Sequence, residues 1–128
     1  MRIDHLALFV RDLEKIREFY ETYFSAKSNA RYYNPTTGLE IYFLSFPDGD
    51  TRLEIMSRPD LQDRTMNDTE CGYIHFAVSV GSREEVDLLT KRLSDDGYEI
   101  NRFPRVTGDG YYESVVMDPE GNRIEIVG

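Results

Sequence analysis

The feature that most constrains this chain is an internal repeat built around its only two histidines. Arg2-Ile3-Asp4-His5-Leu6-Ala7-Leu8-Phe9-Val10 and Gly72-Tyr73-Ile74-His75-Phe76-Ala77-Val78-Ser79-Val80 both read as strands. In each, one histidine interrupts an apolar, β-branched and aromatic run, and an alanine follows two places later on the same face. The histidines stand 70 residues apart in a chain of 128, so the spacing predicts one module used twice. A second pair of segments repeats at nearly the same distance. Arg52-Leu53-Glu54-Ile55-Met56 and Arg123-Ile124-Glu125-Ile126-Val127 share the order Arg, aliphatic, Glu, Ile, apolar. The turn Pro47-Asp48-Gly49-Asp50 precedes the first, and Asp118-Pro119-Glu120-Gly121-Asn122 precedes the second. Four side chains able to bind a metal thus fall at equivalent positions of two half-chains.

Composition narrows the class. A chain this long fits one compact domain, or two closely packed halves, and can bury roughly two-thirds of its unfolded surface. The formal charge of −9 is scattered rather than run together, so a polyanion is repelled and nucleic acid is not an expected partner. No apolar stretch approaches the roughly 20 residues of a membrane helix, and the N-terminus lacks a signal-peptide pattern; the expectation is a soluble, cytoplasmic protein. Cys71 is the sole cysteine, which excludes an internal disulfide.

Read in order, Asp12 is an N-cap for a helix over Leu13 to Phe24, where Leu13, Ile16, Phe19, Tyr20, Tyr23 and Phe24 recur at helical spacing. Residues from about Ala26 to Tyr33 read as extended, and Asn34-Pro35-Thr36-Thr37-Gly38 as a loop. Leu39 to Phe46 and Thr51 to Ser57 form a hairpin. Arg58 to Cys71 is polar and aperiodic and serves as the connection. The order then begins again. Ser82-Arg83-Glu84-Glu85 fits a capping box, Val86, Leu89 and Leu93 supply the apolar stripe of a second helix, and Gly97 stops it. Tyr98 to Phe103 reads as a strand, Pro104 to Gly110 as a loop, and Glu113 to Met117 with Asn122 to Val127 as the closing hairpin.

The fold class expected is α+β: two βαβββ modules, residues 1–57 and 72–128, joined by 58–71 in a single domain whose curved mixed sheet encloses a metal-binding cavity. Strand alternation decides what faces that cavity. If the helices cover Leu6, Leu8, Val10, Leu53 and Ile55 and their counterparts, then His5 and Glu54, and by the same parity His75 and Glu125, lie on the uncovered faces. A strand histidine alone is ordinarily a satisfied core or surface residue, and a strand glutamate is ordinarily solvated. The matched set reads differently, because carboxylates between apolar neighbours are costly to bury unpaired and a cation is their economical partner. Two imidazoles and two carboxylates suit zinc, nickel, cobalt, manganese or ferrous iron without choosing among them.

The βαβββ repeat, the motifs Asp4-His5-Leu6-Ala7-Leu8-Phe9-Val10 and Gly72-Tyr73-Ile74-His75-Phe76-Ala77-Val78, and the final Asp118-Pro119-Glu120-Gly121-Asn122-Arg123-Ile124-Glu125-Ile126 together resemble the vicinal oxygen chelate superfamily, the glyoxalase and bleomycin-resistance fold. Nearly the whole chain takes part, and within the superfamily it is most similar to glyoxalase I and small glyoxalase-like proteins. The resemblance implies metal ligands at His5, Glu54, His75 and Glu125, one divalent ion per site, and a homodimer. It also implies a lyase or isomerase on a small molecule that chelates the metal through neighbouring oxygens, with Glu125 or Glu54 as the base in an enediolate-type proton transfer. Activity is then expected to fall in acid, where the histidines protonate.

Two positions depart from the glyoxalase I pattern. Where bacterial glyoxalase I usually has an arginine four residues after the first ligand, this chain has Phe9; where it has an asparagine four after the second, this chain has Arg58. The resemblance therefore supports the metal site more strongly than glutathione as cofactor. Two alternatives stand beside the lyase. An iron-dependent extradiol-type dioxygenase uses two histidines and one glutamate, as do fosfomycin-modifying relatives, and Glu54 as a fourth ligand argues against both. A metal-free sequestering protein of the bleomycin-resistance type fits the negative charge but typically lacks the four ligands. Tyr42, Tyr111 and Tyr112 are weaker candidates to line the cavity, and packing is their default. Arg105 and Arg58 are weaker candidates to meet an anionic substrate, with solvated surface as their default.

Overall fold

The structure is a computed structural model of the chain and describes residues 1–65, 69 and 71–128. The chain divides into two compact units, Met1–Thr65 and Met66–Gly128. Each is one sheet carrying one helix. The reading of 58–71 as a connection falls partly on residues 66–68 and 70, which lie outside the described residues.

The first unit runs β1 (His5–Phe9), α1 (Leu13–Phe24), β2 (Lys27–Ser28), β3 (Tyr32–Asn34), β4 (Leu39–Ser45) and β5 (Arg52–Ser57). β1 pairs in parallel with β5, β5 pairs antiparallel with β4, and both β2 and β3 pair antiparallel with β4. The extended stretch after α1 is therefore two short strands. The capping of α1 follows the sequence: Asp12 Oδ1 accepts from the Lys15 amide at 3.0 Å. Leu13, Ile16, Phe19, Tyr20 and Phe24 are its buried residues, and the Phe19, Tyr20 and Phe24 rings meet in pairs at 5.2 to 5.8 Å, tilted or edge-on as aromatic quadrupoles prefer.

The second unit repeats the plan with β6 (His75–Ser79), α2 (Arg83–Asp95), β7 (Ile100–Val106), β8 (Tyr112–Met117) and β9 (Arg123–Val127), in the sheet order β6-β9-β8-β7. β6 and β9 are parallel, as β1 and β5 are. Ser82 caps α2 through its hydroxyl, which accepts from the Glu85 amide at 3.2 Å. The Asp118-Pro119-Glu120-Gly121-Asn122 turn has a physical cause: the Asp118 carboxylate, only 3% exposed, accepts from the Glu120 and Asn122 amides and the Asn122 side chain, while Gly121 takes φ 82°. That turn delivers Arg123 and Glu125 into β9 in a defined register with β8.

Two expectations are corrected. β7 does not stop at Phe103 but runs through Pro104 to Val106. Proline lacks an amide donor, yet β7 is an edge strand whose pairing with β8 is irregular between Arg102 and Arg105, where no ladder donor is needed. The buried stripe of α2 is Val86, Thr90 and Leu93, with Leu89 only half-buried. Thr90 fits because its hydroxyl is fully satisfied. Thr90 Oγ1 donates to the Val86 carbonyl at 2.6 Å, which leaves the Ser114 hydroxyl of β8 to donate to it, also at 2.6 Å.

Among the described residues no helix is long and apolar enough to cross a membrane. The Thr90–Ser114 pair makes the packing of α2 on its sheet testable. Thr90→Val leaves a buried Ser114 hydroxyl without its acceptor and is expected to destabilise by about 1–3 kcal/mol, whereas Thr90→Val with Ser114→Ala restores most of the loss. Urea unfolding of the three variants measures the difference.

Candidate metal centre

Alternation along β1 and β5 separates two faces. Leu53 and Ile55 are buried under α1, and Leu6 and Leu8 share their face, so His5, Ala7 and Phe9 of β1 and Arg52, Glu54 and Met56 of β5 stand on the face away from the helix. Ile124 and Ile126 do the same in the second unit, leaving His75, Ala77 and Glu125 on the open face. The two alanines now have a reason. Ala7 is in register with Glu54 and Ala77 with Glu125, so each small side chain leaves room beside the carboxylate that a larger residue would fill.

The structure brings the four expected residues together as two pairs, one in each unit. His5 Nε2 lies 3.5 Å from Glu54 Oε2, and His75 Nε2 lies 3.2 Å from Glu125 Oε2. Among the described residues no group of three or more metal-ligating side chains is formed. Both glutamates are largely covered, at 14% and 19% side-chain exposure. Their neighbours account for this: Phe43 is in register with Glu54 on its other side, and Val115 with Glu125. For Glu125 the cover has a chemical consequence. Burial pushes its carboxyl above the ordinary range; the carboxylates of Glu113 and Asp109 push the same way, and His75 and Arg105 pull against them.

The two pairs differ in what surrounds them. In the first unit the support is behind the histidine. Asp4 Oδ2 accepts from His5 Nδ1 at 3.0 Å and from Arg52 Nη2 at 2.6 Å, and the His5 and Arg52 hydrogen bonds hold its carboxyl below the usual range. Arg52 lies over the Phe43 ring at 4.5 Å, and that ring meets His5 edge-on at 5.6 Å. In the second unit the support is beside the glutamate. Arg105 of β7 stands opposite Glu113 of β8, with Nη2 3.2 Å from Oε1, and Glu113 is 7% exposed. Arg105 Nη1 is inaccessible and has no hydrogen-bond partner among the described residues.

Sequence reasoning missed Asp4 and Glu113 and treated Arg105 as solvated surface. Parity was the available signal for Glu113, which lies two residues before Val115 and so on the same face; pairing with Arg105 becomes visible only once β7 is known to extend through Pro104. The tyrosines are corrected. Tyr42 Oη donates to Glu14 of α1 at 2.9 Å and Tyr112 Oη donates to Asp87 of α2 at 2.7 Å, so both side chains belong to the helix side. Tyr111 is exposed beside the Thr107–Gly110 turn. Arg58 is exposed and ion-paired with Asp60.

The Glu125 shift carries a stability consequence with a definite sign. A carboxyl whose folded pKa lies above its unfolded value contributes stability fully at pH below the unfolded pKa and loses it as pH rises through the folded value. At neutral pH the charged form is the penalised one. In chelator-treated protein Glu125→Gln is therefore expected to raise the melting temperature at pH 7, with the gain shrinking as pH falls through the carboxylate range. Thermal melts across pH check this; a fall in melting temperature at pH 7 would mean that His75 and Arg105 outweigh the burial.

Residues 2–126 match the family model of the glyoxalase/bleomycin resistance protein/dioxygenase superfamily. The uncharacterized protein PA2024 of Pseudomonas aeruginosa is 30% identical over 128 residues, covering 96% of this chain and 85% of its own. The uncharacterized protein YqjT of Bacillus subtilis is 25% identical over 130 residues, covering 96% and 95%. In fold, the chain is similar to a glyoxalase family protein from Enterococcus faecalis, with a TM-score of 0.80 at 23% identity over 99% of this chain and 97% of that one. It is likewise similar to the trypanothione-dependent glyoxalase I of Leishmania major, with a TM-score of 0.79 at 22% identity over 100% and 86%. Joined to the βαβ-type modules with their His–Glu pairs, the match over nearly the whole chain means that this protein belongs to the glyoxalase/bleomycin resistance protein/dioxygenase superfamily.

Proposed function

We propose that the chain is a metal-dependent lyase or isomerase of the glyoxalase type, acting on a small molecule that presents two neighbouring oxygens. The observation that carries this reading is the facing of imidazole Nε2 and carboxylate oxygen at 3.5 and 3.2 Å, once in each unit, on the faces the helices leave open. An imidazole nitrogen that presents its lone pair in the appropriate tautomer and a covered carboxylate oxygen are both donors to a cation, which satisfies both. His5, Glu54, His75 and Glu125 would hold one divalent ion through two nitrogens and two oxygens, a set open to zinc, nickel, cobalt, manganese or iron. The homodimer that the resemblance implies is part of this reading, and glutathione is not required by it.

When bound, the ion supplies Lewis acidity toward the substrate's vicinal oxygens. The protein supplies the base. Of the two glutamates, Glu125 is the better suited, because burial raises its carboxyl toward the pH at which it works and so strengthens it as a proton acceptor. Its carboxylate takes the proton from the carbon beside the carbonyl and returns it to the neighbouring carbon. Ala77 keeps the space beside it open, and Val115 keeps water from its other side.

Metal content by mass spectrometry, wild type against His75→Ala, tests the reading. About one divalent transition metal per chain, lost in the variant, is the expected result. Wild type that stays empty when offered zinc, nickel, cobalt, manganese and iron in turn would sink the enzyme reading in favour of a metal-free sequestering protein.

A further inference from the structure

The repeat makes the two histidines equivalent in sequence, yet their second ring nitrogens meet different surroundings. His5 Nδ1 is 3.0 Å from Asp4 Oδ2, a hydrogen-bonding distance, whereas His5 Nε2 is 3.5 Å from Glu54 Oε2, beyond a good hydrogen bond. A neutral imidazole has one proton to place, and the nearer, better aligned carboxylate takes it. Asp4 is in turn held by Arg52, whose Nη2 donates to the same oxygen at 2.6 Å and whose backbone amide donates to the Asp4 carbonyl at 3.0 Å. The ring is also fixed from the side by the edge-on Phe43, over which Arg52 lies. At the place equivalent to Asp4 the second module has Ile74, which has no acceptor to offer His75. Among the described residues the polar partner of its ring is Glu125, through Nε2.

We infer that Asp4 is a positioning residue that sets the tautomer of His5, keeping the proton on Nδ1 so that the Nε2 lone pair faces Glu54, while His75, with no such carboxylate at its Nδ1 among the described residues, keeps its proton on Nε2 until a cation takes that nitrogen and the proton moves to Nδ1. The inference rests on the reading of His5 as a metal ligand for its purpose, and on the Asp4–His5–Arg52 geometry for its content. It divides the labour of the two pairs: the first is preorganised to offer Nε2 to a cation, and the second must first shift its proton from Nε2 to Nδ1.

With only two histidines in the chain, nitrogen-15 imidazole spectra of metal-free protein resolve the question directly. Spectra taken at alkaline pH, where both rings are neutral, with His5→Gln to assign the signals, are expected to show His5 protonated at Nδ1 and His75 at Nε2. Asp4→Ala is expected to move the His5 proton to Nε2 and leave the His75 signals in place, which also reports that the fold is intact; Asp4→Glu is expected to recover part of the wild-type pattern. Zinc affinity of Asp4→Ala is expected to fall about 10- to 100-fold. The inference is overturned if wild-type His5 carries its proton on Nε2, if Asp4→Ala leaves the His5 tautomer unchanged, or if zinc binding is indifferent to Asp4→Ala in a wild type that binds it. A wild type with the expected tautomers that takes up no metal instead overturns the metal reading and leaves the Asp4–His5 pairing standing.

Discussion

Each sheet of this protein is covered by one helix, and the rest of the structure depends on that one-sidedness. Burying an apolar side chain removes it from water for roughly 1.5–3 kcal/mol, so the strands turn Leu44, Leu53 and Ile55 under α1, and Val116, Ile124 and Ile126 under α2. Side chains alternate along a strand, so the intervening residues have no choice of face. His5, Glu54, His75 and Glu125 are put together in pairs by the same constraint that builds the core. A one-residue slip in either parallel pairing would exchange the two faces, which is why the register of β1 with β5 and of β6 with β9 matters for chemistry as well as stability.

The two units show how a duplicated module can diverge without losing its plan. The buried part of the helix side is apolar in both units apart from the closed Thr90–Ser114 pair, and Tyr42 with Glu14 and Tyr112 with Asp87 close its margins. The open faces carry different charges. The first unit has Asp4 and Arg52 behind its histidine, with Ile41 across from Met56; the second has Ile74 before its histidine and Glu113 with Arg105 beside its glutamate. One unit surrounds its histidine with charges and the other surrounds its glutamate with them. The raised pKa of Glu125 comes first from its burial, with Glu113 adding to it and His75 and Arg105 opposing it.

Much of the fold was legible because the relevant physics is local. Asp12 and Ser82 announce helix starts by their side-chain oxygens, the apolar spacing of 13–24 has a helical period, and Asp118 with Gly121 and Asn122 encodes a turn through hydrogen bonds spanning only a few residues. The readings that failed depended on distant partners. Pro104 signals a break unless the strand is known to lie at a sheet edge. Thr90 looks polar until the Ser114 hydroxyl is placed against it. Tyr42 and Tyr112 look like cavity aromatics until Glu14 and Asp87 draw their hydroxyls to the helix side.

By itself the sequence determined the repeat, the membership of the superfamily that the repeat and the final turn motif announce, and the face on which each histidine and glutamate stands. Those follow from periodicity, which needs no knowledge of what lies across a sheet. Only the tertiary structure decided which charges surround the pairs, because register between strands far apart in the chain sets those neighbours: Asp4 beside Arg52 across 48 residues of chain, and Arg105 against Glu113 across an irregular edge ladder. It is there that the two histidines of the repeat come to differ in their surroundings, His5 with the Asp4 carboxylate 3.0 Å from its Nδ1 and His75 with Glu125 3.2 Å from its Nε2.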